Sequence, residues 1–329
     1  MSQEPKVEVP ESPESGAGSS QHFVALLGPT ASGKSALSLA VAEALDGEIV
    51  NCDSTAVYRG LDIGTDKLAP EARRGIAHHL IDIVEPTDTY TAARFAVDAA
   101  RVVRDITARG RLAILVGGTG LYYRALTRGL FAGPARDEDL RARLPRVADR
   151  RGPAFLHQWL TRVDPPSAER IQPRDTKRMV RALEVYLLTG RPLTAHFADT
   201  ERPLPEFAPI GIALSPDRAV IAERVRRRVD EQFARGIVDE VRGLMAAGVP
   251  ASAHAFSGLV YRQILEMLAG ERSEADTRAL IVRENLHYAK RQLIWFRKEP
   301  NLRWIPDTGE RDDTREVALA HIRAHTGRS

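Results

Sequence analysis

Apolar runs of strand length alternate with longer amphipathic stretches through the first third of the chain. His22-Phe23-Val24-Ala25-Leu26-Leu27 is β-compatible, while Ala36 to Leu45 has helical composition and stops at Asp46-Gly47. The pattern predicts strands at 22–28, 48–52, 79–84 and 111–117. It predicts a helix from about 90 to 109, where Phe95, Val97, Val102, Val103 and Ile106 recur at near-helical spacing. This alternation implies an α/β fold, a parallel sheet flanked by helices. Ligands in such sheets bind beyond the carboxyl ends of the strands.

From about 134 to 200 the strand pattern disappears. Arg136 to Arg151, Phe155 to Arg162 and Asp175 to Leu188 read as helices. Phe207 to Leu214 then reads as one more strand, followed by helices at about 217–247, 259–269 and 275–298. The expected organisation is a core domain from 21–133 and 202–329, interrupted by a helical insertion domain at 134–201. Residues 1–20, rich in Ser, Pro, Glu and Gly, read as a disordered tail.

At 329 residues and 43% hydrophobic content, the chain can bury a large core. No apolar stretch approaches the ~20 residues of a membrane span, and the N-terminus carries no basic-then-apolar export signal. A single cysteine, Cys52, excludes an internal disulfide and fits a reducing, cytoplasmic setting. It reads as a strand-end filler rather than a nucleophile, and His78-His79 have no partner cluster of metal-binding spacing. Net charge is only +3, but its distribution is uneven: between Pro134 and Arg191 there are 13 Lys and Arg against 8 Asp and Glu. Twelve of the 13 are arginine, which suits forked phosphate contacts as well as an ordinary solvated helix face.

The strongest chemical signal is Gly28-Pro29-Thr30-Ala31-Ser32-Gly33-Lys34-Ser35, the pattern G-x-x-x-x-G-K-[ST] between a predicted strand and a predicted helix. Backbone amides and the helix dipole cradle phosphate oxygens in such a loop. Lys34 is placed to neutralise a terminal phosphate, and Ser35 to coordinate Mg²⁺. Phosphate-loop ATPases usually add an Asp at the end of a second apolar strand. Here Arg111 to Val116 runs into Gly117-Gly118-Thr119-Gly120, and Asp53 follows a short strand. That points toward binding a phosphate leaving group rather than hydrolysing ATP, with a small-molecule kinase or NTPase as the alternative.

Several blocks together resemble the tRNA dimethylallyltransferase family. They are the phosphate loop, Asp53-Ser54 with Val57-Tyr58-Arg59-Gly60-Leu61-Asp62-Ile63-Gly64-Thr65, and His79-Leu80-Ile81-Asp82. Val116 to Tyr122, Arg178 to Val185 and Ala289-Lys290-Arg291-Gln292 complete the set, which spans about residues 22 to 300. The resemblance implies transfer of a dimethylallyl group from dimethylallyl diphosphate to N6 of the adenosine 3′ to the anticodon (position 37). The substrates implied are tRNAs reading codons that begin with U, bound through the anticodon stem-loop, with Mg²⁺ as cofactor and the protein a monomer. It implies Asp53 as general base, Thr119 beside the donor and the amine, and Arg141 reaching from the insertion toward the diphosphate. Asp53, Ser54, Thr55, Ala56, Lys177, Arg178, Arg181, Tyr261, Arg262, Lys290 and Arg291 fall at RNA-facing positions. The chain departs from the family pattern with Thr55-Ala56 where many members have Met-Gln. It also carries Val260 where glycine is usual, and Asn285-Leu286-His287 before Tyr288. A catalytically silent RNA binder and an isopentenyltransferase acting on free adenylate are rival readings. Intact Asp53, Lys34 and Thr119 argue against the first, and the basic insertion against the second.

Overall fold

The computed structural model describes residues 21–131, 133–152 and 154–328; the tail expected at 1–20 lies outside them. The first part of the chain contains β1 (Gln21–Leu27), α1 (Lys34–Leu45), β2 (Gly47–Asn51), β3 (His78–His79), α2 (Ala92–Ala108), β4 (Leu112–Gly117) and α3 (Gly120–Arg128). Five helices follow: α4 (Glu138–Arg151), α5 (Ala154–Val163), α6 (Pro165–Arg170), α7 (Thr176–Thr189) and α8 (Leu193–Ala198). The chain then forms β5 (Phe207–Leu214), α9 (Arg218–Ala234), α10 (Ile237–Ala246), α11 (Tyr261–Leu268), α12 (Glu274–Phe296), β6 (Leu302–Ile305) and α13 (Asp312–Thr326).

Among the described residues, the six strands form one parallel sheet in the order β3-β2-β4-β1-β5-β6. Helices cover both faces, as the continuous apolar strands require. Alternate residues of β1 point to opposite layers. Phe23, Ala25 and Leu27 join Phe95 of α2, Tyr122 of α3 and Phe296 of α12, whereas Val24 and Leu26 join Leu37 and Val41 of α1 and Ile322 of α13. Helices α4, α5 and α7 share a separate cluster around Leu144, Leu156, Leu160, Met179 and Leu183.

Local chemistry sets the ends of the helices. Thr91 Oγ1 accepts from the Arg94 N–H to cap α2, Asp137 caps α4 through the Leu140 N–H, and Ser273 caps α12 through the Asp276 N–H. Two predicted elements change. The strand expected at 79–84 is confined to His78–His79, because Leu80 and Asp82 take positive φ of 61° and 55° and turn the chain away. The helix expected at 217–247 is two helices, broken at Gly236, whose φ of 89° no helix accommodates.

Candidate active site

β2, β4 and β1 are consecutive in the sheet, so the segments leaving their carboxyl ends meet at one edge. The Ser54 N–H donates to Thr119 Oγ1 at 3.2 Å, and the Thr119 N–H donates to the Cys52 carbonyl at 3.3 Å. These bonds join the ends of β2 and β4. Gln292 of α12 then ties β4 to the phosphate loop: its side chain accepts from the Thr30 N–H at 2.8 Å and donates to the Gly118 carbonyl at 2.9 Å.

Gly33, with φ of 85°, turns the loop into α1 and leaves the first amides of that helix open to the cavity. Ser32 Oγ is buried with no partner among the described residues, an orphan that an incoming phosphate oxygen can satisfy. The Lys34 ammonium donates to the Pro29 carbonyl at 2.6 Å. Burial, and next the charge of Arg228, bring its pKa down to about 7, against the opposing pull of Asp53 and Cys52. Two arginines one turn apart on α9 complete the cationic wall. Arg224 Nε donates to the Ala31 carbonyl at 2.8 Å, and Arg228 Nη1 donates to Thr30 Oγ1 at 2.8 Å while pairing with Asp66 at 2.8 Å. Glu310, in the loop after β6, pairs with Arg224 beside Gly33.

Two open cavities adjoin here. One, of about 260 Å³, is lined by the phosphate loop, Arg224 and Arg228, with Ile49, Leu68, Ile81 and Val116 as its apolar side. The other, of about 560 Å³, is lined by Ser54, Thr55, the Gly258-Leu259-Val260 turn, Arg262, His287 and Arg291. Asp53, Thr30, Arg228 and Tyr288 belong to both. Burial, then the Asp53 charge, push the Tyr288 phenol up, so it stays neutral at working pH. Burial likewise pushes the Cys52 thiol up; it is fully enclosed and inert, as expected of a filler.

A family model described as IPP transferase matches residues 56–299. A tRNA dimethylallyltransferase of Geobacter metallireducens is 48% identical over 88% of this chain and 94% of its own length. Another from Solibacter usitatus is 46% identical over 93% and 99%. The chain belongs to the tRNA dimethylallyltransferase family. The structure of the full-length tRNA isopentenylpyrophosphate transferase from Bacillus halodurans superposes at a TM-score of 0.70 with 35% identity, covering 93% of this chain and 97% of that one. A eukaryotic dimethylallyltransferase acting on tRNA shares the fold at a TM-score of 0.76 with 24% identity, over 94% of this chain and 81% of that one.

On this dimethylallyltransferase framework the expected residues divide. The phosphate loop, Asp53, Ser54, Thr55, Ala56, Thr119, Arg262 and Arg291 all gather at the strand ends and the two cavities. Lys177, Arg178 and Lys290 are exposed on α7 and α12. Tyr261, expected at the RNA surface, is fully buried: its hydroxyl donates to Glu240 at 2.7 Å and accepts from the Gly64 N–H at 3.1 Å. It supports the Asp62-Ile63-Gly64 loop, which Glu240 also holds through the Asp62 and Ile63 amides. Arg141 and Arg181 are both turned onto Glu184, at 2.8 Å and 2.7 Å, and neither lines the cavities. Burial alone would raise the Glu184 carboxyl, but those two guanidiniums and the Asp137 amide hold it at about 2. The arginines that do reach the phosphate loop, Arg224 and Arg228, went unassigned in the sequence, as did Tyr288 and Gln292. Their i, i+4 spacings on predicted helices were a usable signal; their partners, about 175 to 260 residues away, were not.

Proposed function

We propose that this chain transfers the dimethylallyl group of dimethylallyl diphosphate to N6 of an unpaired adenosine beside the anticodon of tRNA. The observation that carries the proposal is that Asp53 lines both the cavity formed by the phosphate loop and a second cavity rimmed by Arg228, Arg262 and Arg291. The diphosphate rests on the α1 amides, Lys34, Arg224 and Arg228, and the prenyl chain lies on the apolar wall. The target base, swung out of the loop stack, enters from the second cavity. As the N6–C1 bond forms, the C1–O bond breaks with its electron pair leaving on diphosphate, and the N6 proton passes to Asp53. The cationic wall stabilises the charge developing on the leaving group. Thr119, bonded to the Ser54 amide, and the neutral Tyr288 phenol, which lines both cavities with Asp53, orient the amine.

Mg²⁺ fits this cradle. The Ser35 hydroxyl lines the cavity without a hydrogen bond among the described residues, so it is free to hold an ion against phosphate oxygens. Such an ion supplies further positive charge to the departing diphosphate. The residues from 134 to 201, with Lys177 and Arg178 on their exposed side, serve as the domain that grips the anticodon stem.

The test is Asp53→Ala in single-turnover prenylation of tRNA. Loss of a positioned base is expected to cut the rate by about 10²–10⁴ while tRNA affinity stays near normal. Near-normal turnover removes Asp53 from the mechanism.

A further inference from the structure

The two carboxylate oxygens of Asp53 have different surroundings. Oδ1 accepts from the Thr55 N–H at 2.8 Å, the Thr55 hydroxyl at 2.6 Å and the Ala56 N–H at 3.4 Å. Oδ2 has no hydrogen-bond partner among the described residues. A carboxylate anchored through one oxygen is restricted in rotation, and its other oxygen is left without a protein partner among the described residues. The two amide contacts come with the backbone turn; the hydroxyl contact, the shortest of the three, depends on the Thr55 rotamer.

That rotamer is confined by the loop opposite. Thr55 Cγ2 packs on Gly258 so closely that a Cβ there would lie 2.9 Å from it. Gly258 leads into a turn whose last residue, Val260, is buried at 3% exposure and held at φ 78°, ψ −61°. Such a conformation is an outlier for a β-branched side chain. It persists only where the surroundings over-determine it, and such strain concentrates at functional sites. Thr55, Gly258 and Val260 line the same cavity as Asp53. The strained turn is thus a fixed wall against the methyl of a threonine whose hydroxyl grips the carboxylate.

We infer that Thr55 is a positioning residue for the general base. Its hydroxyl, pinned by the 258–260 turn, locks Oδ1 and directs Oδ2 at the amine proton. The inference rests on Asp53 being the base, so the experiment separates the two. Single-turnover rates and the affinities for dimethylallyl diphosphate and tRNA are measured for Thr55→Val, Thr55→Ser, Asp53→Ala and the Asp53→Ala/Thr55→Val double variant. Thr55→Val keeps the methyl packing and loses the hydroxyl. Its rate is expected to fall about tenfold, short of the ~10²–10⁴ for removing the base because both amide donors remain, with both affinities within about twofold. Thr55→Ser is expected to restore the rate to within about threefold. In the double variant, Thr55→Val is expected to add nothing to the loss from Asp53→Ala, since it acts through that carboxylate. A wild-type rate in Thr55→Val, a Thr55→Ser variant as slow as Thr55→Val, or additive losses in the double variant would each overturn the positioning role. Near-normal turnover in Asp53→Ala would instead overturn the base assignment beneath it.

Discussion

Lys34 gives the proposed diphosphate cradle a pH signature. In the free protein its pKa lies at about 7, lowered first by burial and then by Arg228. At pH 9 only about one molecule in a hundred therefore carries the charge. An incoming diphosphate restores the proton by pairing with it. Donor affinity is then full below pH 7 and falls as pH rises through that value, by up to about tenfold per unit. Between pH 6 and pH 9 the loss approaches 100-fold, or about 2.7 kcal/mol. Donor-free stability moves the other way: because the folded pKa lies below the unfolded value of 10.5, the unfolded chain binds more protons between pH 7 and 10.5. The Lys34 contribution to stability therefore rises with pH across that window. Calorimetric titration of dimethylallyl diphosphate at fixed Mg²⁺, in buffers of different ionisation enthalpy, reads both affinity and proton uptake. Wild type is expected to take up nearly one proton at pH 8.5, and Lys34→Met none. A flat affinity from pH 6 to 9, or the same slope in Lys34→Met, would refute the reasoning.

Other consequences follow from neighbouring contacts. Arg228→Ala removes a charge-assisted contact at the phosphate loop and is expected to weaken the donor by about 1.5–3 kcal/mol. By relieving Lys34 it is also expected to move the pH dependence upward, which the same titration reads. Glu184→Ala is expected to cost about 2–3 kcal/mol in urea unfolding, below the range for fully buried pairs because Arg141 and Arg181 keep about a third of their surface in water. Donor affinity is expected to stay unchanged in that variant. Arg178→Ala, whose side chain is 66% exposed, is expected to flatten the dependence of log K on log[salt] for tRNA binding by about 0.7–0.9. An unchanged slope would move the RNA-gripping surface elsewhere.

What was legible in the sequence is what local chemistry decides. β1, the phosphate loop and α1 are contiguous, and their apolar run, glycines and helix composition predict each other. The neighbouring positions of Asp53, Thr119 and the loop followed from parallel strands sharing a carboxyl edge. The run Leu80-Ile81-Asp82-Ile83-Val84 looked like a strand, but backbone turns at Leu80 and Asp82 decide otherwise, and side-chain periodicity does not encode them. β6, only four residues long at a sheet edge and holding the exposed Arg303, carried too little pattern to stand out. Arg141 and Arg224 look alike in sequence, each an arginine on an arginine-rich helix. Only the fold shows that buried Glu184 occupies the first and that the loop after β1 receives the second.

The most direct test of the account is the fate of label from dimethylallyl diphosphate. The purified chain is incubated with Mg²⁺, total tRNA and dimethylallyl diphosphate labelled in the prenyl group, with a parallel reaction supplied with ATP. The account predicts label in tRNA, recovered on N6 of the adenosine beside the anticodon, with stoichiometric diphosphate release and no phosphate release from ATP. Absence of label from tRNA together with Mg²⁺-dependent ATP turnover would contradict it.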